Sequence, residues 1–260
     1  MKRLAILTAV ATLLAAAPAA ADAPPRWRPD VAAAREYLKH RHGNVSFAVR
    51  TERRMWGHHR LRTVPSASVL KAMLMVTYLN HRSVRHRPLR RRDMRLLSPM
   101  IRRSDNATAS VIRNKVGSRG LRRLARRVGM RRFTPVAHPW GHSRVNAADQ
   151  TRFFLDIDRL VVARHRRTAM RLLGSITPSQ RWGVGRVVPR GWRAYFKGGW
   201  GSGSGAVDHQ VALLKRGRFR VAVAVMTTGN GTHAYGKETL SGVFRRLMRG
   251  LRGVQTRQKR

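Results

Sequence analysis

Strand-forming segments stand at the two ends of this chain, and helical periodicity fills the block between them. Residues 45–51 and 56–64 read as strands joined near Arg53, and residues 192–196, 207–214 and 219–227 as three more, the last two joined by a turn at Arg216 and Gly217. Between them, 69–79, 89–101, 107–116, 121–128, 147–155 and 165–173 carry the helical period. A helix over 31–40, capped by Asp30, precedes the first strand, and one over 235–251 closes the pattern. Such an order predicts an α/β (α+β) fold in which the two ends meet in one five-stranded antiparallel sheet flanked by the N- and C-terminal helices. The middle then forms an all-helical lobe, with a cleft between the two. The sheet lobe takes about residues 30–65 and 186–252 and the helical lobe about 66–185, within one domain spanning 22–260. No internal repeat is present, and beyond the N-terminal segment only the Gly and Ser run 198–205 is of low complexity.

The N-terminal segment is organised for export. Lys2 and Arg3 precede an apolar stretch from Leu4 to Leu14 and the small residues Ala19, Ala20 and Ala21. Residues 1–21 are therefore expected to be a cleaved secretory signal peptide, leaving a bacterial secreted or cell-envelope protein that begins near Asp22 and keeps no membrane span. The absence of cysteine rules out disulfides, a thiolate metal site and a cysteine nucleophile.

Fifty-five Lys and Arg against 11 Asp and Glu give a formal charge of +44. That excess alone points to a polyanion. The basic residues, however, are spread along the whole chain rather than gathered into a stripe, and no nucleic-acid motif accompanies them. Anionic cell-envelope polymers are the expected macromolecular partner, and nucleic acid is not.

Three short elements carry chemistry. In Ser68-Val69-Leu70-Lys71, at the start of the most apolar helix, the spacing of three puts both side chains on one face. Backbone N–H groups at a helix start favour negative charge developing near Ser68, and a lysine whose pKa is depressed by burial takes a serine proton. Chance alone supplies S-x-x-K in about half of chains of this composition. Ser104-Asp105-Asn106 lies at a junction between helices, where Ser104 can relay a proton, Asn106 can bind a substrate amide and Asp105 can brace the loop. S-D-N arises by chance in only about one such chain in a hundred. Lys197-Gly198-Gly199-Trp200 follows the segment 192–196 and offers a cation and close backbone access at a cleft edge.

In that order, S-x-x-K, S-D-N and K-x-G resemble the active-site set of the penicillin-recognising serine enzymes, which include class A β-lactamases and D,D-peptidases. The resemblance implies an antiparallel sheet flanked by terminal helices and a helical lobe bearing the serine. It also implies Ser68 as nucleophile, Lys71 as proton acceptor and Ser104 as relay. Asn106, Lys197 and Gly199 would bind substrate, Lys197 as an anchor for the substrate's carboxylate, and the N–H groups of Ser68 and Trp200 would form the oxyanion hole. No metal or organic cofactor is implied.

Three departures limit the likeness, one being that the segment from Ser68 to Ser104 is shorter than in typical class A enzymes. Class A enzymes carry a loop E-x-x-L-N whose glutamate activates the deacylating water, whereas residues 131–146 here contain no acidic residue. Asp149 reads as a capping partner of Asn146, and His138 and His142 as surface residues. Gly198 also stands where the last motif usually has a hydroxyl residue. The expected activity is acyl-enzyme formation on a β-lactam or related amide. The alternatives are a slowly deacylating D,D-peptidase or esterase acting on cell-wall peptide, and a non-catalytic envelope-binding protein.

Overall fold

The computed structural model describes residues 27–201 and 206–251. The signal segment 1–21 and residues 202–205 of the Gly and Ser run lie outside the described residues. In chain order the elements are α1 (Val31–Leu38), β1 (Asn44–Arg50), β2 (Met55–His58), β3 (Val64–Pro65), α2 (Leu70–Leu79), α3 (Arg82–Arg85), α4 (Arg91–Arg102) and α5 (Asn106–Val128). There follow β4 (Arg144–Val145), α6 (Ala147–Leu155), α7 (Ile157–Leu160), α8 (Ala163–Gly174), α9 (Val184–Val187), β5 (Arg193–Gly201), β6 (Val207–Arg216), β7 (Phe219–Thr228) and α10 (His233–Leu247).

The two ends do meet. The five strands are antiparallel in the order β2-β1-β7-β6-β5, so β7, from the C-terminal half, pairs directly with β1. Residues 207–214 of β6 and 219–227 of β7 are buried throughout, which requires cover on both faces. α10, packed on α1, covers one face, and α6 from the helical block covers the other. α2 is the hub of the helical lobe. It is buried along nearly its whole length and packs against α4, α5 and α8, which explains why its sequence is apolar all round rather than amphipathic.

Several expected boundaries shift for identifiable reasons. Segment 56–64 is not one strand: the chain leaves the sheet after His58, where His59 takes a left-handed backbone (φ 44°), and β3 pairs with β4 in a separate ribbon. Lys197 to Trp200 do not end a strand. They run inside β5, paired with Val211 to Asp208 of β6. The helix expected from 89 starts at Arg91, because the Asp93 carboxylate accepts the Arg90 N–H. Segments 107–116 and 121–128 are successive parts of α5, broken at Gly117, and α10 starts at His233 behind a Thr232 cap. The short helices α3, α7 and α9 carry no period long enough to read.

Candidate active site

Ser68 sits in a single 3-10 turn, Ala67–Val69, that leads into α2, rather than in α2 itself. The turn is entered through Ala67 in a left-handed conformation (φ 42°), a strained backbone for alanine. Lys71 follows in the first turn of α2, fully buried. S-D-N spans the gap between α4 and α5 as the sequence implies. Asp105 caps α5, its carboxylate accepting from the Thr108 N–H and hydroxyl (both 2.7 Å), while Ser104 holds a left-handed backbone (φ 59°). Lys197 lies within β5, the edge strand of the sheet.

These elements converge. Lys71 Nζ donates to the Ser104 carbonyl (2.5 Å), the Ser104 hydroxyl (3.1 Å) and Asn106 Oδ1 (2.7 Å). Lys197 Nζ donates to the same Ser104 hydroxyl (2.9 Å) and to the Gly198 carbonyl (2.7 Å). One hydroxyl thus lies between two buried lysines. Burial pushes the Lys71 pKa down to about 7, against a weaker opposing pull from Asp105. Burial, and next the charge of Lys71, hold Lys197 well below the ordinary lysine value. Two ammonium groups at one hydroxyl repel, so the site favours a state in which at least one amine is neutral. A neutral amine has a lone pair, into which the Ser104 hydroxyl can donate.

The edge of β5 lies against the Ser68 turn. A Cβ on Gly199 would fall 2.8 Å from the backbone nitrogens of both Ser68 and Val69, so only glycine fits there. Gly198 is covered by the Trp182 indole. Trp200 continues the edge and stacks on His233 (5.6 Å between ring centroids). Among the described residues no hydrogen bond reaches the Ser68 hydroxyl, so Ser68 is brought beside the lysine cluster without being bonded to it.

The loop without a carboxylate does cover the site. Trp140 lies over the Lys71 ammonium (5.1 Å to the ring centroid) and is fixed by its N–H to Ser110 Oγ (3.1 Å). His138 and His142 are exposed. Asp149 is structural: it accepts from the backbone of Arg131 and Arg132 and from Asn146 Nδ2, anchoring the base of the loop.

Sequence reasoning missed several supporting residues because their contacts are distant in sequence. His209, fully buried, accepts from Thr227 N and bonds the Pro65 carbonyl (2.9 Å), tying β6 to the approach to Ser68; burial brings its pKa to about 4. Gln210 holds the Trp182 loop through Val184 N and the Trp182 carbonyl. Asp208 holds His233 Nδ1 (2.5 Å) and accepts from Asn230 Nδ2 (2.7 Å), fixing the ring that stacks on Trp200.

A five-stranded antiparallel sheet with flanking helices, and a helical lobe that presents a serine, two lysines and S-D-N to the sheet edge, define a β-lactamase-like serine hydrolase fold. The sequence profile of the Beta-lactamase enzyme family matches residues 92–249, and the chain belongs to that family. Among solved structures, the chain is similar to a β-lactamase from Sphaerobacter thermophilus at a TM-score of 0.72 and 19% identity, covering 85% of this chain and 97% of that one. It is also similar to the chromosome-encoded β-lactamase of Vibrio parahaemolyticus (TM-score 0.71, 13% identity, 84% and 97% covered). A β-lactamase from Xanthomonas campestris shows the same likeness (0.69, 15%, 85% and 96%). At such identities the likeness is one of fold. A comparison with curated proteins finds no match.

Proposed function

We propose that this protein is a serine hydrolase that forms an acyl-enzyme on Ser68 with a β-lactam or related amide, and that deacylation is its slow step. The observation that carries the reading is Lys71: fully buried, hydrogen-bonded to S-D-N, and with a pKa brought to about 7 by burial. A lysine in that state accepts a proton at neutral pH. Ser68 Oγ attacks the amide carbonyl as its proton passes to Lys71. The N–H groups of Ser68 and Trp200 receive the developing oxyanion. When the C–N bond breaks, the leaving nitrogen takes a proton from the Ser104 hydroxyl, which is replenished from Lys71 across their 3.1 Å contact. Asn106, its oxygen held by Lys71, keeps its NH₂ for the substrate amide. A substrate carboxylate entering beside Lys197 favours protonation of that amine, so anchoring and charging occur together.

Slow deacylation follows from what covers Lys71. The loop supplies the Trp140 ring, and no carboxylate is available there to activate water. The same observation favours a second reading, a D,D-peptidase or esterase acting on cell-wall peptide. Export to the cell envelope is part of the proposal, and N-terminal sequencing of mature protein starting near Asp22 is the result expected of it. Among the described residues no helix is long and apolar enough to cross a membrane.

The test is to mix the protein with a penicillin and a cephalosporin, following ring opening by absorbance and adducts by intact mass beside Ser68→Ala. A persistent adduct that is lost in the variant is expected. Fast ring opening without accumulation overturns slow deacylation, and no adduct with either compound overturns the β-lactam reading. Release of D-Ala from a peptidoglycan peptide without ring opening selects the second.

A further inference from the structure

The carboxylates of this chain are few, and arginines claim the buried ones: Arg87 pairs with Asp93 and Arg220 with Asp158. Three concave regions have no Asp or Glu on their walls, and in one of them arginines of two helices face each other. A groove of about 640 Å³ between the end of α2, α3 and the second half of α5 is lined by Arg82, Arg85, Arg119, Arg123 and Arg127, with no Asp or Glu on its wall. Arg119, Arg123 and Arg127 follow at four-residue intervals and therefore form a row along one face of α5, stepping about 6 Å along the axis each time. Arg82 and Arg85 stand across from them on α3. Like charges at this spacing destabilise a helix. Arg82, Arg85, Arg119 and Arg123 form no ion pair or side-chain hydrogen bond among the described residues. The positive field is felt by His81 on the same wall: burial first, then Lys115, Arg82 and Arg123, hold its imidazole below its ordinary pKa.

We propose that this groove binds a linear phosphodiester polymer through its phosphates, an anionic chain of the poly(glycerol phosphate) type. Two facing rows of forked donors suit a flexible anion with a charge every few bonds. Nucleic acid fits less well, because the groove offers no Phe, Tyr or Trp on which a base can stack. The groove is built from α2, α3 and α5 and uses none of the groups assigned to acyl transfer, so the inference stands or falls apart from the proposed chemistry.

The test must separate a built groove from the charge carried everywhere else. A dye-labelled glycerol phosphate oligomer is titrated with the full chain, with the quadruple variant Arg82→Gln, Arg85→Gln, Arg119→Gln and Arg123→Gln, and with a charge-matched control, Arg28→Gln, Arg95→Gln, Arg218→Gln and Arg245→Gln, whose arginines are exposed and lie outside the groove. Each phosphate contact is worth about fivefold at about 0.1 M salt, and about 0.7 in the log–log salt slope. The groove variant is expected to lose a few hundredfold and to flatten the slope by about three, while the control changes little and both keep the parent melting temperature. Equal losses in the two variants overturn the proposal, because binding is then diffuse. A thymidine oligonucleotide of equal charge that binds more tightly and is lost with the same four arginines overturns the ligand class.

Discussion

Arg220 and Lys71 are both cations withdrawn from water, and the fold treats them in opposite ways. Arg220 on β7 meets Asp158 of α7 with two N–H bonds (2.6 and 3.0 Å) and also bonds the Leu155 carbonyl, while Lys215 adds a third contact to Asp158 (3.2 Å). Burial alone would raise the Asp158 pKa, but Arg220 and Lys215 more than reverse this and hold it well below the usual carboxylate range. That cluster fastens the sheet to the helical lobe. Lys71 contacts no carboxylate; it donates to the Ser104 carbonyl, to Asn106 Oδ1 and to a hydroxyl it shares with a second lysine. The ion-paired cation is structural, whereas the one with only neutral partners stores unfavourable free energy as a low pKa, the property the proposed acyl transfer needs.

The largest effect bears on the reactive region. Ser68→Ala should lower acylation by roughly three orders of magnitude or more, read as loss of the mass adduct, and leave the melting temperature close to that of the parent. Next, Asp158→Asn should destabilise the fold by about 3–5 kcal/mol in denaturant unfolding, since it strands a buried guanidinium, and should not move the pH dependence of acylation. A stable Asp158→Asn protein would break the contrast.

The third prediction concerns pH. In the proposed mechanism Lys71 acts only when neutral, so the acylation rate should fall about tenfold per unit as pH drops below about 7 and level off above it. The fourth uses the same group through stability. Between about pH 7 and the ordinary lysine value the unfolded chain holds a proton on residue 71 that the folded chain lacks, so stability rises with pH there by about 1.4 kcal/mol per unit. Lys71→Met should remove that contribution and be at least as stable as the parent at pH 7, although inactive. The smallest effect is at Trp140. Trp140→Ala admits water to Lys71, and the acylation midpoint should move up by less than about one pH unit. A downward shift would mean that the ring is not what keeps Lys71 dry.

The fold was legible where local chemistry agreed with packing. Helix 147–155 was placed to the residue because Asn146 caps it through Asp149 N, and the break in α5 showed as a gap in the period around Gly117. Segment 56–64 misled because its apolar residues continue past the left-handed turn at His59. β5 was cut short because Gly198 and Gly199 look like a loop until the Trp182 ring and the Ser68 turn are seen packed on them. The order of the three motifs carried the site. What escaped was everything fixed by neighbours far along the chain: the Trp140 cover, the His209 tie and the Asp208–His233 pair have no spacing that marks them.

Gly198 constrains how this protein can change. Restoring the hydroxyl residue usual at that position in the resembling enzymes requires a Cβ, and a Cβ there would lie 2.8 Å from one indole carbon of Trp182 and 3.0 Å from another. Trp182 is in turn pinned through its carbonyl by Gln210. A lone Gly198→Thr change meets a wall, and a lone Trp182 change opens a hole with nothing to fill it. The two positions are therefore sterically coupled, and a hydroxyl residue at 198 needs a matching change at 182.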